Sequence, residues 1–144
     1  AAAGYWTIGT GCMKAANALC AHAATFAEAL LEAVLQVHAD DVPVLLVCYD
    51  IEARGPLASM CPSRAMAGHA LVLAPVEPGR DLPRLTLCPG EVADAPAIAL
   101  PEGPGQDHPL AASFPLFAAL ARGGAAGLVL ATDAGGRLPV QVRA

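Results

Sequence analysis

The segment AHAATFAEALLEAVLQVHA, residues 21–39, followed by PVLLVC, residues 43–48, decides the fold that this sequence predicts. The apolar residues of the first segment recur at helical spacing and form one wide stripe: Phe26, Leu30, Leu31, Val34, Leu35 and Val37. We therefore expect a mostly buried helix that ends at Asp40-Asp41. The uninterrupted apolar run that follows it is typical of a central strand buried on both faces.

The rest of the chain predicts further short elements around this pair. Apolar or alternating runs predict strands over 68–74, 84–88, 127–131 and 138–142, the last two as a hairpin, and a helix through 114–120. Residues 5–10 are too short to assign, and Gly9 to Gly11 marks a turn. The Pro-rich residues 89–109 predict a loop. The simplest assembly is one α/β domain over residues 1–144, with a mixed sheet and a second strand, 68–74, that is also buried.

The composition of the 144-residue chain excludes several classes of function. Hydrophobic residues make up 56% of the chain, charged residues 15%, and the net charge is −5. The few scattered basic residues exclude a surface for nucleic acid phosphates and a polybasic membrane anchor. No apolar stretch reaches the roughly 18 residues that a membrane span needs. The sequence has an excess of Ala, which removes little area from water when it is buried. This excess fits a surface that a partner covers, and it fits a general bias in amino-acid usage equally well.

The common site motifs are incomplete. Gly9-Thr-Gly11 lacks the third small residue of a dinucleotide fingerprint, no serine stands in a G-x-S-x-G setting, and the five cysteines include no C-x-x-C pair. We therefore expect no cofactor and no metal, and reduced thiols in the cytoplasm. The pattern favours a solvated or capping role for His22, a hydrogen-bonded core position for His69 and a turn cap for Asp50.

Cys20 is the cysteine best placed for chemistry, because it comes just before the predicted central helix. The start of a helix is a position that can activate a thiol as a nucleophile. A nucleophile also needs a base, and the sequence singles out no histidine for that role. The alternative is that Cys20 is a small buried hydrophobic side chain.

The run Gly4-Tyr-Trp-Thr-Ile-Gly-Thr-Gly11, the helix after it and the strand 43–48 resemble the active-site region of β-ketoacyl synthases of the thiolase fold. That family has the pattern G-x-x-S-I-x-x-G, a nucleophile in T-A-C, a buried central helix and an apolar strand ending in Gly-Gly. Residues 67–73 are similar to its next strand, and residues 84–88 to the strand after that. The resemblance implies a partial thiolase-like half-fold, with a mixed central sheet and a buried central helix, that is incomplete at its N-terminus.

The departures from the family pattern concern its chemistry. One ungapped frame places Ala23 where the family has its nucleophilic cysteine, and a methyl group cannot attack a thioester. Moving Cys20 to that position would turn the stripe of the helix by about 60°. The family's Gly-Gly is replaced by Cys48-Tyr49, which puts the oxyanion region in doubt. The family's two catalytic histidines and its lysine belong to a second half of the fold that this sequence does not show.

A ketosynthase-like chain without a nucleophile resembles the chain-length-factor partners of ketosynthases in polyketide and aryl-polyene pathways. The resemblance implies a non-catalytic subunit that helps shape an acyl tunnel, with a ketosynthase subunit (or a second copy) and an acyl carrier protein as partners. Two alternatives stay open at this point. One is an active condensing enzyme, an acyltransferase of the 3-oxoacyl carrier-protein synthase type, that uses Cys20. The other is an acyl-binding or purely structural α/β module.

Overall fold

The computed structural model describes residues 2–61, 63–90 and 108–143 of the chain. These residues contain three α-helices and five strands. The first helix, α1, spans Ala2–Thr10 and covers the residues that the sequence left unassigned. It ends at Gly11, whose φ of 66° is accessible to glycine without strain and whose N–H bonds to the carbonyl of Ile8. The turn predicted over Gly9 to Gly11 is found at Gly11 alone, because Gly9 and Thr10 belong to α1.

The central helix, α2, spans Thr25–Asp40 and confirms the strongest sequence prediction. Its buried residues follow the helical period: Phe26, Ala27, Leu30, Ala33 and Val37. The helix ends at Asp41, which takes the left-handed conformation that Asp tolerates better than most residues. Leu35, which we expected to widen the stripe, is exposed. It lies about 140° around the helix from Leu30, and so it points away from the core.

Strands β1, Val44–Asp50, and β2, Ala67–Leu73, pair antiparallel in a two-stranded sheet, with Cys48 opposite His69. Successive side chains alternate between a face packed toward α2 and a face open to solvent. The prediction that these strands are buried on both faces is wrong, since Val72 is 71% exposed. Among the described residues, helices pack against one face of this sheet.

The second sheet joins elements that are far apart in the chain. After β3, Arg84–Leu87, the described chain resumes ahead of helix α3, Phe114–Arg122, and continues through β4, Ala126–Ala131, and β5, Arg137–Arg143. The strand order is β3-β5-β4, so that β5 is central and β4 and β5 form the predicted hairpin. The predicted strand at 84–88, with one covered face, and the helix ending at Gly123 are likewise confirmed.

The expected mixed sheet is wrong for the described residues, where every strand pair is antiparallel. A parallel pair needs a long crossover, usually through a helix. Between β1 and β2 the chain has only a loop with a short 3-10 turn at residues 55–59, and it returns antiparallel. Of the expected loop at 89–109, residues 91–107 lie outside the described part of the chain.

One apolar cluster connects the two sheets with α2 and α3. Side chains from all four contribute to it, with these among the most buried: Phe26, Leu30, Leu116, Leu128, Leu138, Val140 and Val142. The inner face of the β1–β2 sheet adds Cys48 to the same cluster. The N-terminal end of α2 is therefore held in place by packing against the rest of the molecule.

Candidate functional site

Ala23 and Cys20, the two positions singled out by the sequence, lie at the N-terminal end of α2. Ala23 belongs to a single 3-10 turn, His22–Ala24, that leads directly into the helix. Cys20 lies two residues before that turn, in a segment without helix or strand. Both residues are exposed. The structure thus puts an alanine methyl group, and not the thiol, in the turn at the start of the central helix.

Thr25 fixes this turn through its side-chain hydroxyl group. The hydroxyl donates to the carbonyl of His22 over 2.7 Å and accepts from the N–H of Ala21 over 2.9 Å. His22 itself takes a left-handed conformation with φ of 53°, and its side chain is exposed, which confirms its solvated position. Cys20 is a free thiol, and within the described residues no hydrogen bond joins it to a histidine or another base.

His69 is partly buried, and its ring contacts two aromatic rings. Its ring centroid lies 5.8 Å from that of Phe26, in an edge-on arrangement, and 4.3 Å from that of Phe117. Its Nε2 atom is buried and has no hydrogen-bond partner in the described part of the chain. The expected core position is found only in part, because His69 is partly buried. The expected hydrogen bond is wrong, because the neighbouring α2 and α3 present phenylalanine rings to this face.

Cys48 lies directly opposite His69 in the antiparallel register. Opposed residues of such a pair have Cβ atoms about 5 Å apart on the same face of the sheet. Burial raises the pKa of the Cys48 thiol and lowers the pKa of the His69 imidazole, so that both groups are held in their neutral forms. A thiolate–imidazolium pair needs both groups in their charged forms, which burial disfavours at this position.

Ser63 and His108 form a buried polar pair that sequence reasoning missed. The Oγ atom of Ser63 lies 3.5 Å from Nε2 of His108, and both residues are more than nine-tenths buried. The two residues are 45 positions apart, and His108 lies near the end of the Pro-rich stretch. No local signal in the sequence links them.

The hydrogen bonds of His108 show which of its ring nitrogens carries the proton, and therefore whether it can act as a base toward Ser63. Its Nδ1 accepts a hydrogen bond from the N–H of Leu110 over 3.1 Å, so the ring proton is on Nε2. Nε2 lies 3.2 Å from the carbonyl oxygen of Ala65 and donates to it. The hydroxyl of Ser63 also donates to that carbonyl. Since Nε2 has no free lone pair, His108 cannot take a proton from Ser63, as a nucleophile–base pair requires. The pair instead ties the loop before β2 to the segment leading into α3.

An open cleft of about 500 Å³ lies between α2 and the β4–β5 hairpin. Glu28 and Leu31 of α2 line one side, and residues of the hairpin turn line the other. The carboxylate of Glu28 accepts a hydrogen bond from the backbone N–H of Asp133 over 3.2 Å, which joins helix and turn. Glu28 is thus used for fixing the hairpin turn against the helix.

Three further observations concern the expected sites. Asp50, the last residue of β1, accepts a hydrogen bond from the N–H of Ile51, the first residue of the following loop, over 2.9 Å. Across the described ranges, His, Cys, Asp and Glu side chains nowhere gather in threes that could hold a metal ion. Within the same residues, none of the helices combines the length and the apolar character that crossing a bilayer requires.

Comparison with known proteins gives one match. The model of the family described as beta-ketoacyl synthase, N-terminal domain, matches residues 1–122, which include α1, α2, α3 and the first three strands. Neither a curated protein nor a solved structure matches the chain.

Proposed function

Because the chain belongs to the family of beta-ketoacyl synthase N-terminal domains, we propose that it is a non-catalytic, chain-length-factor-like subunit of fatty acid or polyketide biosynthesis. In this role it shapes an acyl tunnel together with a ketosynthase that performs the condensation, with the chains carried on an acyl carrier protein. The cytoplasm is the proposed location. The feature that carries the proposal is Ala23, which the ungapped frame of the sequence assigns to the position of the family's nucleophile.

The surroundings of Ala23 support this assignment. Condensation by a ketosynthase begins when a thiolate attacks an acyl thioester, and a side chain without a heteroatom cannot do so. Cys20 is outside the turn that leads into α2, and its thiol forms no hydrogen bond with a base among the described residues. The one described Ser–His contact, between Ser63 and His108, has the tautomer that excludes nucleophilic use.

Acyl transfer tests the proposal directly. The purified chain is incubated with an acyl carrier protein bearing a labelled acyl group, and the acylated peptides are identified by mass spectrometry. We expect no acyl thioester on Cys20 and no condensation by the chain alone. In the presence of a ketosynthase of the same organism, the Cys20→Ala variant should match the unmodified chain in product length and rate. Cys61→Ala, which removes another exposed free thiol, is the matched control.

Two results would overturn the assignment. An acyl group on Cys20, together with loss of condensation in Cys20→Ala and not in Cys61→Ala, would establish an active condensing enzyme. A chain that neither binds a ketosynthase nor changes its products would be an acyl-binding or structural module.

A further inference from the structure

Two arginines lie side by side on the outer face of the second sheet. The antiparallel register of β3 and β5 places Arg84 directly opposite Arg143. Opposed residues of such a pair share one side of the sheet, with Cβ atoms about 5 Å apart. Both arginines are exposed, whereas the alternate residues Val140 and Val142 of β5 are buried in the apolar cluster on the other side. The two arginines are therefore neighbours on the side that faces solvent.

This pair of like charges has no compensating carboxylate. Like charges directly opposite each other destabilise a strand pair, and a guanidinium group in a protein does not lose its proton. Elsewhere in the chain, Arg54 and Arg80 are each paired with a glutamate. Among the described residues, no carboxylate lies within ion-pair distance of Arg84 or Arg143. An anion from outside the chain would therefore relieve the repulsion between the two arginines.

Further hydrogen-bond donors adjoin the two arginines. Thr86 and Gln141 form the neighbouring opposed pair on the same side of the sheet, and both are exposed. Thr86 adds a hydroxyl group and Gln141 an amide group. Each guanidinium group presents its N–H donors in a planar fork that fits two oxygens of one oxyanion. The four side chains together thus offer converging donors with two positive charges.

We propose that Arg84 and Arg143 form a binding site for a single phosphate group, either free phosphate or a phosphate monoester. A phosphate monoester carries a charge of about −1.5 to −2 at pH 7, which two guanidinium groups neutralise, and it has three acceptor oxygens for the two forks. A carboxylate would leave one of the two arginines uncompensated. Exposed ion pairs are weak one by one, but bidentate arginines that act together are the exception.

The site is too small for a nucleic acid. Proteins bind a nucleic acid backbone through several phosphate contacts, and two arginines supply the charge for one phosphate group. The site also goes beyond the proposed function, and Arg143 lies outside residues 1–122, which the family model matches. Its test contains no ketosynthase, carrier protein or acyl chain, so its failure and the failure of the proposed function are separate results.

An NMR titration of the full chain with sodium phosphate measures the binding. The chain is labelled with nitrogen-15, the Nε–Hε signals of the arginines are followed at pH 7.5, and sodium chloride keeps the ionic strength constant. We expect the signals of Arg84 and Arg143 to shift together along one saturable curve. Sodium acetate at the same ionic strength should bind at least about tenfold more weakly, because its single charge and two oxygens engage one fork.

Three variants separate this site from a general effect of charge. Arg84→Gln and Arg143→Gln should each raise the dissociation constant for phosphate at least about tenfold, because each removes charge-assisted hydrogen bonds to the anion. Arg122→Gln removes another exposed arginine, in the last turn of α3, and should leave the constant within about twofold. Far-UV circular dichroism checks that each variant is folded.

A short neutral peptide with one phosphoserine distinguishes the two sources of the phosphate group. Binding of this peptide as tight as that of free phosphate would identify a site for phosphate monoesters, and binding of free phosphate alone would identify a site for the inorganic ion. A linear shift without saturation, or the same shift with sodium chloride alone, would overturn the proposal. So would a dissociation constant that Arg84→Gln and Arg143→Gln leave unchanged, or that Arg122→Gln raises equally.

Discussion

At the scale of single residues, His69 shows how burial beside apolar side chains affects the charge state of a polar group. Its Nε2 is buried without a hydrogen-bond partner among the described residues, and phenylalanine rings lie on both sides. An imidazole in these surroundings is tolerated only while it is neutral, because a buried charge without a partner is costly. Burial accordingly lowers the pKa of His69. The residue contributes packing and makes stability dependent on pH.

The pH dependence follows from the direction of this shift. Since the folded-state pKa of His69 lies below its ordinary value of 6.5, the unfolded chain takes up a proton at higher pH than the folded chain. The contribution of neutral His69 is therefore fully present above about pH 6.5 and is lost as the pH falls below that value. We expect His69→Leu to show a smaller loss of unfolding free energy between pH 7.5 and pH 5.5, measured by urea denaturation, than the unmodified chain.

The control for this prediction is His38, which is exposed in the last turn of α2. His38→Gln should retain most of the pH dependence. At pH 7.5, His69→Leu should be as stable as the unmodified chain or more stable by up to about 1 kcal/mol, because an unpaired buried polar group is removed. An undiminished loss on acidification in His69→Leu would show that other groups control it.

At the scale of elements, α2 organises the molecule by burying one side against both β1 and the segment leading into α3. Leu30 is fully buried in the apolar cluster, whereas Leu35 on the far side is 54% exposed. The same residue type thus occupies two environments within one helix. The helix is held by its buried side, since no side-chain hydrogen bond caps its N-terminus.

The two leucines allow a matched comparison. Leu30→Ala should lower the unfolding free energy by about 2–5 kcal/mol, because it removes buried methyl groups and leaves a cavity. Leu35→Ala should change it by less than about 0.5 kcal/mol. Denaturation followed by far-UV circular dichroism measures both. Equal effects of the two substitutions would contradict the burial of α2 described here.

At the scale of the whole molecule, the two sheets share one core. The apolar cluster takes Cys48 from the first sheet, Leu128 and Val140 from the second, and Leu116 from α3. No separate core is available to either sheet among the described residues, so neither has a basis for unfolding alone. The free thiol of Cys48 lies inside this cluster and reports on it.

Pulsed alkylation in increasing urea tests this cooperativity. We expect the alkylation of Cys48, read peptide by peptide in a mass spectrometer, to follow the same transition as the loss of helical circular dichroism. Cys61, which is exposed, should be alkylated at every urea concentration and serves as the internal control. Alkylation of Cys48 well before the helical signal falls would mean that the β1–β2 sheet opens separately.

The sequence by itself determined the elements whose signal is local. Helical spacing predicted α2, and alternation and turn residues predicted β3 and the β4–β5 hairpin. These follow from side-chain periods and from chain neighbours, which are visible along the sequence.

Only the tertiary structure decided which faces are covered and which distant residues meet. The apolar runs of β1 and β2 are the same whether one face or two are buried, so they could not show that Val72 is exposed. Neither could they pair Ser63 with His108 or β3 with β5. Such contacts depend on how the chain turns back on itself, and a short period along the sequence carries no information about that.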